Sequence, residues 1–186
     1  MLPPAAHYLP DYIGKQHEAS LLRLIDDQPW LTDLKRRVQH YGFRYDYKSR
    51  RVTHDAYLGP LPDWLEALAD RLWRDRIFDQ RPDQIIINEY QPGQGIAPHI
   101  DCQPCFGKTI ASLSLGSACV MEFTQAHSGR ATSRLLHPRS LLVLHDDARF
   151  SWKHGIPARK TDVIDGLRFE RGRRLSLTFR TVILDL

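Results

Sequence analysis

No stretch of this chain approaches the roughly 20 consecutive apolar residues that a membrane-spanning helix needs, so no membrane partner is expected. Cysteine is scarce. Three residues, an odd number, are too few for a disulfide framework and point to a reducing, cytoplasmic setting. The opening MLPPAAHYLPDYIGKQ has two early prolines and no basic region ahead of an apolar core, so it does not read as a signal peptide. Repeats, low-complexity tracts and Gly/Ser linkers are also missing. What remains is a single domain over residues 1–186 with 42% hydrophobic and 26% charged residues, ordinary values for a globular protein. Nothing marks an assembly surface, and a monomer is expected.

The net charge of +4 is modest but unevenly spread. Between Lys35 and Arg51 lie seven basic residues and one acidic residue, Asp46. Such a cluster can hold phosphates, although a solvated basic face looks the same in sequence. Helical periodicity predicts helices over Glu18–Trp30 and Leu61–Phe78. From residue 83 onward the pattern becomes short runs rich in Val, Ile, Leu, Phe and Tyr, predicting strands at 84–90, 109–115, 118–123, 133–136, 141–145, 150–154 and 174–184. Two helices followed by many strands indicate an α+β protein in which a helical layer covers a double-sheet β core. A jelly roll is one form of this; composition does not choose it over another sandwich.

His99-Ile100-Asp101 carries the first chemistry. Residues two apart on an extended chain point to one face, so an H-x-D strand aims an imidazole and a carboxylate at one point. A further histidine completes a 2-His-1-carboxylate set, the arrangement of non-haem Fe(II) oxygenases. His127, His137, His145 and His154 are candidates for that third ligand, and spacing does not separate His145 from His154. Cys102 and Cys105 form a C-x-x-C next to Asp101. With only Cys119 left they do not make a zinc site, and no βαβ context supports a thioredoxin-like motif. The pair reads as a loop coincidence, or as thiols that oxidise near a leaking iron centre. Arg174-Leu-Ser-Leu-Thr-Phe-Arg180 alternates strictly, placing Arg174, Ser176, Thr178 and Arg180 on one face. Such a face is either an exposed side of a sandwich or the wall of a site for an anion. Asn88 and Tyr90 likewise share a face.

Taken in order, NEYQPGQGIAPHID, SLSLGS, RSLLVLHDDARFSWKHGI and RRLSLTFR resemble the AlkB family of dioxygenases, over roughly residues 83–183. The resemblance implies a double-stranded β-helix (jelly-roll) core with the N-terminal helices packed on one sheet. Residues 1–82 would supply helices and a nucleotide-recognition lid, and residues 83–186 the core. It further implies Fe(II) held by His99, Asp101 and His154, which decides against His145. By the same match 2-oxoglutarate is held by Asn88, Tyr90, Arg174, Ser176 and Arg180, with Arg174 on its distal carboxylate and Arg180 nearer the metal. Ser176 stands where many relatives carry Asn. The implied reaction takes O2 and 2-oxoglutarate to succinate and CO2 and hydroxylates a carbon; on an N-methyl group the product collapses to formaldehyde and free base.

The partner implied is nucleic acid carrying a modified base, DNA or RNA. Residues 36–48 interleave aromatics with bases; on an extended chain Tyr41, Phe43, Tyr45 and Tyr47 share one face and Arg44, Asp46 and Lys48 the other, an arrangement suited to stacking an extracted base and holding phosphates, unless the aromatic face simply packs on the core. The expected contacts are Arg37, Tyr41, Phe43, Arg44, Tyr45, Tyr47 and Lys48, with Arg149 placed to neutralise a phosphate or an acidic neighbour. The expected activity is demethylation of alkylated bases. Within the family the phrases RRVQHYGFRYDY and PDQIIINEYQPGQGI look most like the tRNA wobble-uridine hydroxylase group, so side-chain hydroxylation is the alternative; at 186 residues the chain is too short for the RNA-binding and methyltransferase domains found there. A non-catalytic nucleic-acid-binding module and a hydrolytic zinc enzyme are further possibilities. The intact co-substrate set argues against the first, and the arginine pair has no use in the second.

Overall fold

Period-two runs of apolar residues set the architecture. In the computed structural model, which describes residues 1–32, 34–46, 49 and 51–184, they build two facing antiparallel sheets. In chain order the elements are β1 (Ala6–Leu9), α1 (Lys15–Asp26), β2 (Val38–Tyr41), a 3₁₀ turn (His54–Ala56), α2 (Asp63–Arg74), β3 (Gln84–Tyr90), β4 (Ile96–His99) and β5 (Ile110–Gly116). Then follow β6 (Cys119–Gln125), β7 (Ala131–Leu136), β8 (Leu141–Leu144), α3 (Asp146–Phe150), β9 (Trp152–Ile156), β10 (Thr161–Ile164), β11 (Leu167–Glu170) and β12 (Arg174–Arg180). The major sheet runs β1-β8-β5-β12-β3-β2, the minor sheet β4-β9-β6-β7, and β10 and β11 form a separate hairpin. This is the jelly-roll plan.

Alternation along the major sheet separates two cores. Ile85, Ile87, Leu113, Leu115, Leu175, Leu177 and Phe179 face the helices, which answer with Leu21 and Ile25 of α1 and Leu65, Leu68 and Leu72 of α2. Those helical positions fall three and four apart, one stripe per helix. Each such side chain contributes about 1.5–3 kcal/mol on burial, so the sheet beneath holds the helices in place. The opposite face brings Ile110, Leu142 and Leu144 against Met121, Phe123, Trp152 and Ile156 of the minor sheet. The site opens on this inner side.

Both helices are shorter at their C-termini than their periodicity predicts. Helix α1 stops at Asp26, where the Gln39 amide donates to the carbonyls of Ile25 and Gln28 and satisfies the helix end. Helix α2 stops at Arg74, and Arg76 takes a positive φ of 59° as the chain turns back. Residues 146–150 form α3, so the strand expected at 150–154 begins only at Trp152.

Candidate active site

His99 ends β4 directly across from His154 of β9, with ring centroids 4.5 Å apart. Gly155 permits this approach: a Cβ there would lie 2.9 Å from the Pro98 nitrogen and 3.0 Å from the Ile96 carbonyl oxygen, so any side chain would push the strands apart. The H-x-D segment is not one straight strand. The β4–β9 register slips between Ile96 and His99, and Asp101 lies beyond the strand end, where Arg180 from the major sheet takes hold of it.

One donor atom from each of His99, Asp101 and His154 falls within 4.8 Å of the others. His154 Nε2 is 3.5 Å from Asp101 Oδ2; metal bonds of about 2 Å put neighbouring ligand atoms about 3 Å apart. Arg180 Nε and Nη2 donate to Asp101 Oδ1 at 3.1 and 2.6 Å. The other oxygen, Oδ2, is buried without a hydrogen-bond partner. An orphaned carboxylate oxygen is costly, and a cation between the imidazoles supplies what it lacks. His99 Nδ1 lies 2.9 Å from the Ala97 carbonyl oxygen. A carbonyl only accepts, so the proton sits on Nδ1 and Nε2 keeps its lone pair for a metal.

Burial alone would raise the Asp101 carboxyl, but Arg180 and the two imidazoles hold it well below the usual carboxylate range. Burial pushes the His154 imidazole down to about 4, against the pull of Asp101. At pH 7 Asp101 is therefore an anion and His154 is neutral, the protonation states that ligation needs. Two imidazoles and a carboxylate on one side of an open cavity fit ferrous iron.

The cavity holds about 610 Å³ and is lined by Asn88, Tyr90, Ser176 and Arg180 as well as the three metal-site residues. Antiparallel pairing puts Asn88 opposite Ser176 and Tyr90 opposite Arg174, which gathers these side chains on the inner face. Ser112 and Ser114 of β5 join them, an assignment not made from the sequence although SLSLGS alternates visibly. Ser112 Oγ and Ser176 Oγ are hydrogen-bonded at 2.8 Å. Arg174 is 2% exposed and donates from Nη2 to Ser114 Oγ at 2.9 Å, while its Nε and Nη1 have no partner. Its guanidinium stands 5.5 Å from the centre of the Tyr90 ring. A buried cation with idle donors fits a carboxylate. The two arginines lie at opposite ends of β12: Arg180 lines the main cavity beside His99, Asp101 and His154, whereas Arg174 lines the small neighbouring cavity, with Tyr90 bordering both.

The lid residues divide differently from the expected single aromatic face. Strand β2 pairs with β3 so that odd positions look toward the helices. Arg37 makes two bonds to Glu89, 2.6 and 2.8 Å long, with its guanidinium over Trp30, and Tyr41 packs edge-on against Trp64. Both face away from the cavity, which corrects their expected role. Gly42 then takes a positive φ of 74°, and a Cβ there would meet the Asp83 carbonyl oxygen at 1.8 Å. This kink reverses the alternation, so Phe43 and Tyr45 turn inward while Tyr41 does not. Tyr45 lines the cavity and leans on Phe106, with centroids 5.5 Å apart. Phe43 packs on Tyr57, and Arg44 is exposed. Tyr47 and Lys48 lie outside the described residues. Among the described basic residues of this segment it is Arg36 that lines the cavity, and its Nε donates to Asn88 Oδ1 at 2.8 Å. Its parity relative to Asn88 is set by the β2–β3 register, which no local pattern shows.

Arg149 narrows its expectation. It is 2% exposed and donates to the carbonyls of Asp101, Cys102, Phe106 and Gly107. It staples the turn behind Asp101, so of its two expected partners the acidic neighbour is the one beside it. In that turn Cys102 and Cys105 are joined as a disulfide, so the pair is oxidised rather than a chance spacing in a loop. His145, the rejected ligand, bonds Thr109 at 2.9 Å instead.

The jelly-roll fold and a His-Asp-His cluster able to hold a metal define a class, and the profile of the 2OG-Fe(II) oxygenase superfamily matches residues 7–180. The chain belongs to that superfamily, and its relatives are AlkB-type dioxygenases. An uncharacterized protein of Acanthamoeba polyphaga mimivirus is 41% identical over 178 residues, covering 94% of this chain and 83% of the viral one. The Alkylated DNA repair protein ALKBH8 homolog of Arabidopsis thaliana is 36% identical, covering 96% of this chain and 58% of its own length. The Macaca fascicularis protein named tRNA (carboxymethyluridine(34)-5-O)-methyltransferase ALKBH8 is 36% identical, with 97% of this chain but only 31% of that protein covered. The solved structure of OsALKBH1 superimposes with a TM-score of 0.75 at 18% identity over 97% of this chain and 98% of that one, which shows the shared fold. Among the described residues no helix is long and apolar enough to cross a membrane.

Proposed function

We propose that this oxygenase oxidises a modified base in nucleic acid, removing an N-methyl group from an alkylated base as formaldehyde. The supporting observation is the cavity mouth: Arg36 and Tyr45 line the same space as the metal-site residues. An aromatic ring can stack an extracted base, and a guanidinium can take a neighbouring anion. Bound Fe(II) with 2-oxoglutarate would supply the oxidising chemistry. His99, Asp101 and His154 would hold the metal, Arg174 and Tyr90 the distal end of 2-oxoglutarate, and Arg180 would keep Asp101 turned toward the metal. The apolar walls, including Ile86, Ile110, Met121 and Leu144, exclude water from the reacting carbon.

A second reading, hydroxylation of a wobble-uridine side chain in tRNA without loss of carbon, is favoured by the relatives named for carboxymethyluridine in tRNA. One experiment separates the two. The iron-loaded chain is given methylated single-stranded DNA, methylated RNA or tRNA, and both formaldehyde and nucleoside masses are recorded. Formaldehyde from a methylated oligonucleotide supports demethylation. A gain of one oxygen on a tRNA uridine without formaldehyde supports hydroxylation. Succinate release unchanged by any nucleic acid, with no altered nucleoside, would count against both.

A further inference from the structure

The Cys102–Cys105 pair takes no part in the reaction described so far. It occupies the turn directly after Asp101. Both cysteines are buried, at 5% and 4% exposure, and Cys102 lines the main cavity. Arg149 holds the backbone on either side, through the carbonyls of Asp101 and Cys102 and those of Phe106 and Gly107. The pair is thus kept at the metal end by contacts that do not depend on the S–S bond. A structural purpose is weakly supported: the two residues are three apart in sequence, and so short a loop constrains the unfolded chain little. Nor are they half of a zinc site. Among the described residues the sole cluster of three metal-ligating side chains is His99, Asp101 and His154.

We propose that Cys102 and Cys105, in the dithiol form, are a built-in reductant that absorbs the oxidising equivalents released when O2 and 2-oxoglutarate react with no substrate in the cavity. The step balances as O2, 2-oxoglutarate and the dithiol giving succinate, CO2, water and the disulfide. One oxygen atom enters succinate, and the other leaves as water with the two thiol protons. O2 takes four electrons, two from 2-oxoglutarate as its carbon–carbon bond breaks and two from the sulfurs as the S–S bond forms. A substrate in the cavity intercepts the oxidant first. A cellular dithiol restores the pair by thiol–disulfide exchange. The inference rests on the oxygenase activity but not on which base is oxidised. Cys119 is an internal comparison: it is equally buried but lies beside Arg174 on the small neighbouring cavity and does not line the main one.

The test uses the whole chain, reduced with dithiothreitol, freed of it under argon and loaded with Fe(II). It then receives 2-oxoglutarate, air-saturated buffer and catalase, with no nucleic acid. Differential alkylation with peptide mass spectrometry reads each cysteine while succinate is counted. The expected result is one Cys102–Cys105 disulfide per succinate in the first turnover, with Cys119 still a thiol. Omitting 2-oxoglutarate, or replacing Fe(II) by Zn(II), should cut disulfide formation at least tenfold. In the Cys102→Ser/Cys105→Ser variant, oxygen should instead appear on cavity-lining side chains such as Tyr45 or Met121. Equal disulfide formation without 2-oxoglutarate, or a disulfide that forms only in a parallel sample lacking catalase, would overturn the proposal by showing oxidation from bulk solution. Succinate accumulating with both thiols intact would overturn it alone. Absence of succinate under every condition, with or without nucleic acid, would overturn the oxygenase activity as well.

Discussion

Replacing Arg174 by methionine should weaken 2-oxoglutarate binding while leaving the ligand-free protein as stable as before, or more so. The guanidinium is 2% exposed, and its one hydrogen bond goes to the Ser114 hydroxyl. Among the described residues it has no carboxylate partner, and two of its donor nitrogens are idle. A buried charge in that state is a liability, and apolar replacements of buried ionic groups are often neutral or stabilising by about 1–4 kcal/mol. For a chain of this size, each kcal/mol corresponds to about 2–4 °C in melting temperature. The same two nitrogens are what a carboxylate of 2-oxoglutarate would satisfy. Losing even one charge-assisted hydrogen bond costs about 1.5–3 kcal/mol, or about ten- to 150-fold in affinity. Calorimetric titration of 2-oxoglutarate into the metal-loaded protein, beside thermal melts of the unliganded protein, reads both quantities. Unchanged affinity together with a lower melting temperature would refute the reasoning, because Arg174 would then be a structural residue with partners of its own.

Three further outcomes are expected. Glu89→Gln should lose about 1.5 kcal/mol at pH 7, the low end of the range because Arg37 and Arg173 both reach solvent. Hydrogen bonding to Arg37 holds the Glu89 carboxyl below its ordinary value of 4.5. Its contribution is therefore present above that value and vanishes as pH falls through the folded-state pKa; urea melts of both proteins from pH 7 downward should converge in acid. Arg149→Met should cost at least about 3 kcal/mol by orphaning buried carbonyls, with weaker Fe(II) binding as the turn behind Asp101 loosens; calorimetry and metal titration check each part. Arg36→Ala should raise the nucleic-acid KM about tenfold or more with only a small loss of melting temperature from the broken Asn88 bond, whereas Arg37→Ala should lower the melting temperature further and spare KM.

Much of the core was legible because its signals are local. The run 84–90 and the alternation from Arg174 announce both strands; β3 spans the expected residues, while β12 stops at Arg180, short of the expected 184. Which face of β12 looks inward was not legible, because an exposed polar face and a site wall alternate alike. The spacing of His99 and Asp101 was visible, but how they converge was not. β4 is a four-residue edge strand carrying Pro98, and Asp101 is turned in by an arginine 79 residues away. Which lid residues turn inward was hidden for a similar reason. Counting every second aromatic from Tyr41 assumes an unbroken strand, and Gly42 breaks it at the first step. Arg36 and Arg37 are adjacent in sequence and chemically equal, and the β2–β3 register, which sets Arg37 against Glu89 and Arg36 beside Asn88, decides which one faces the cavity. The role of Arg149 depends on a turn 42 to 48 residues earlier, and nothing near it in the chain announces that partner.

Diffraction data collected across the iron absorption edge, from crystals grown anaerobically with Fe(II) and a non-reacting 2-oxoglutarate analogue, would test the account at its centre. One anomalous peak bonded to the imidazoles of residues 99 and 154 and to the unpartnered oxygen of residue 101, with the analogue's far carboxylate on Arg174, is the predicted result. A peak elsewhere, or an analogue bound without touching Arg174, would contradict it.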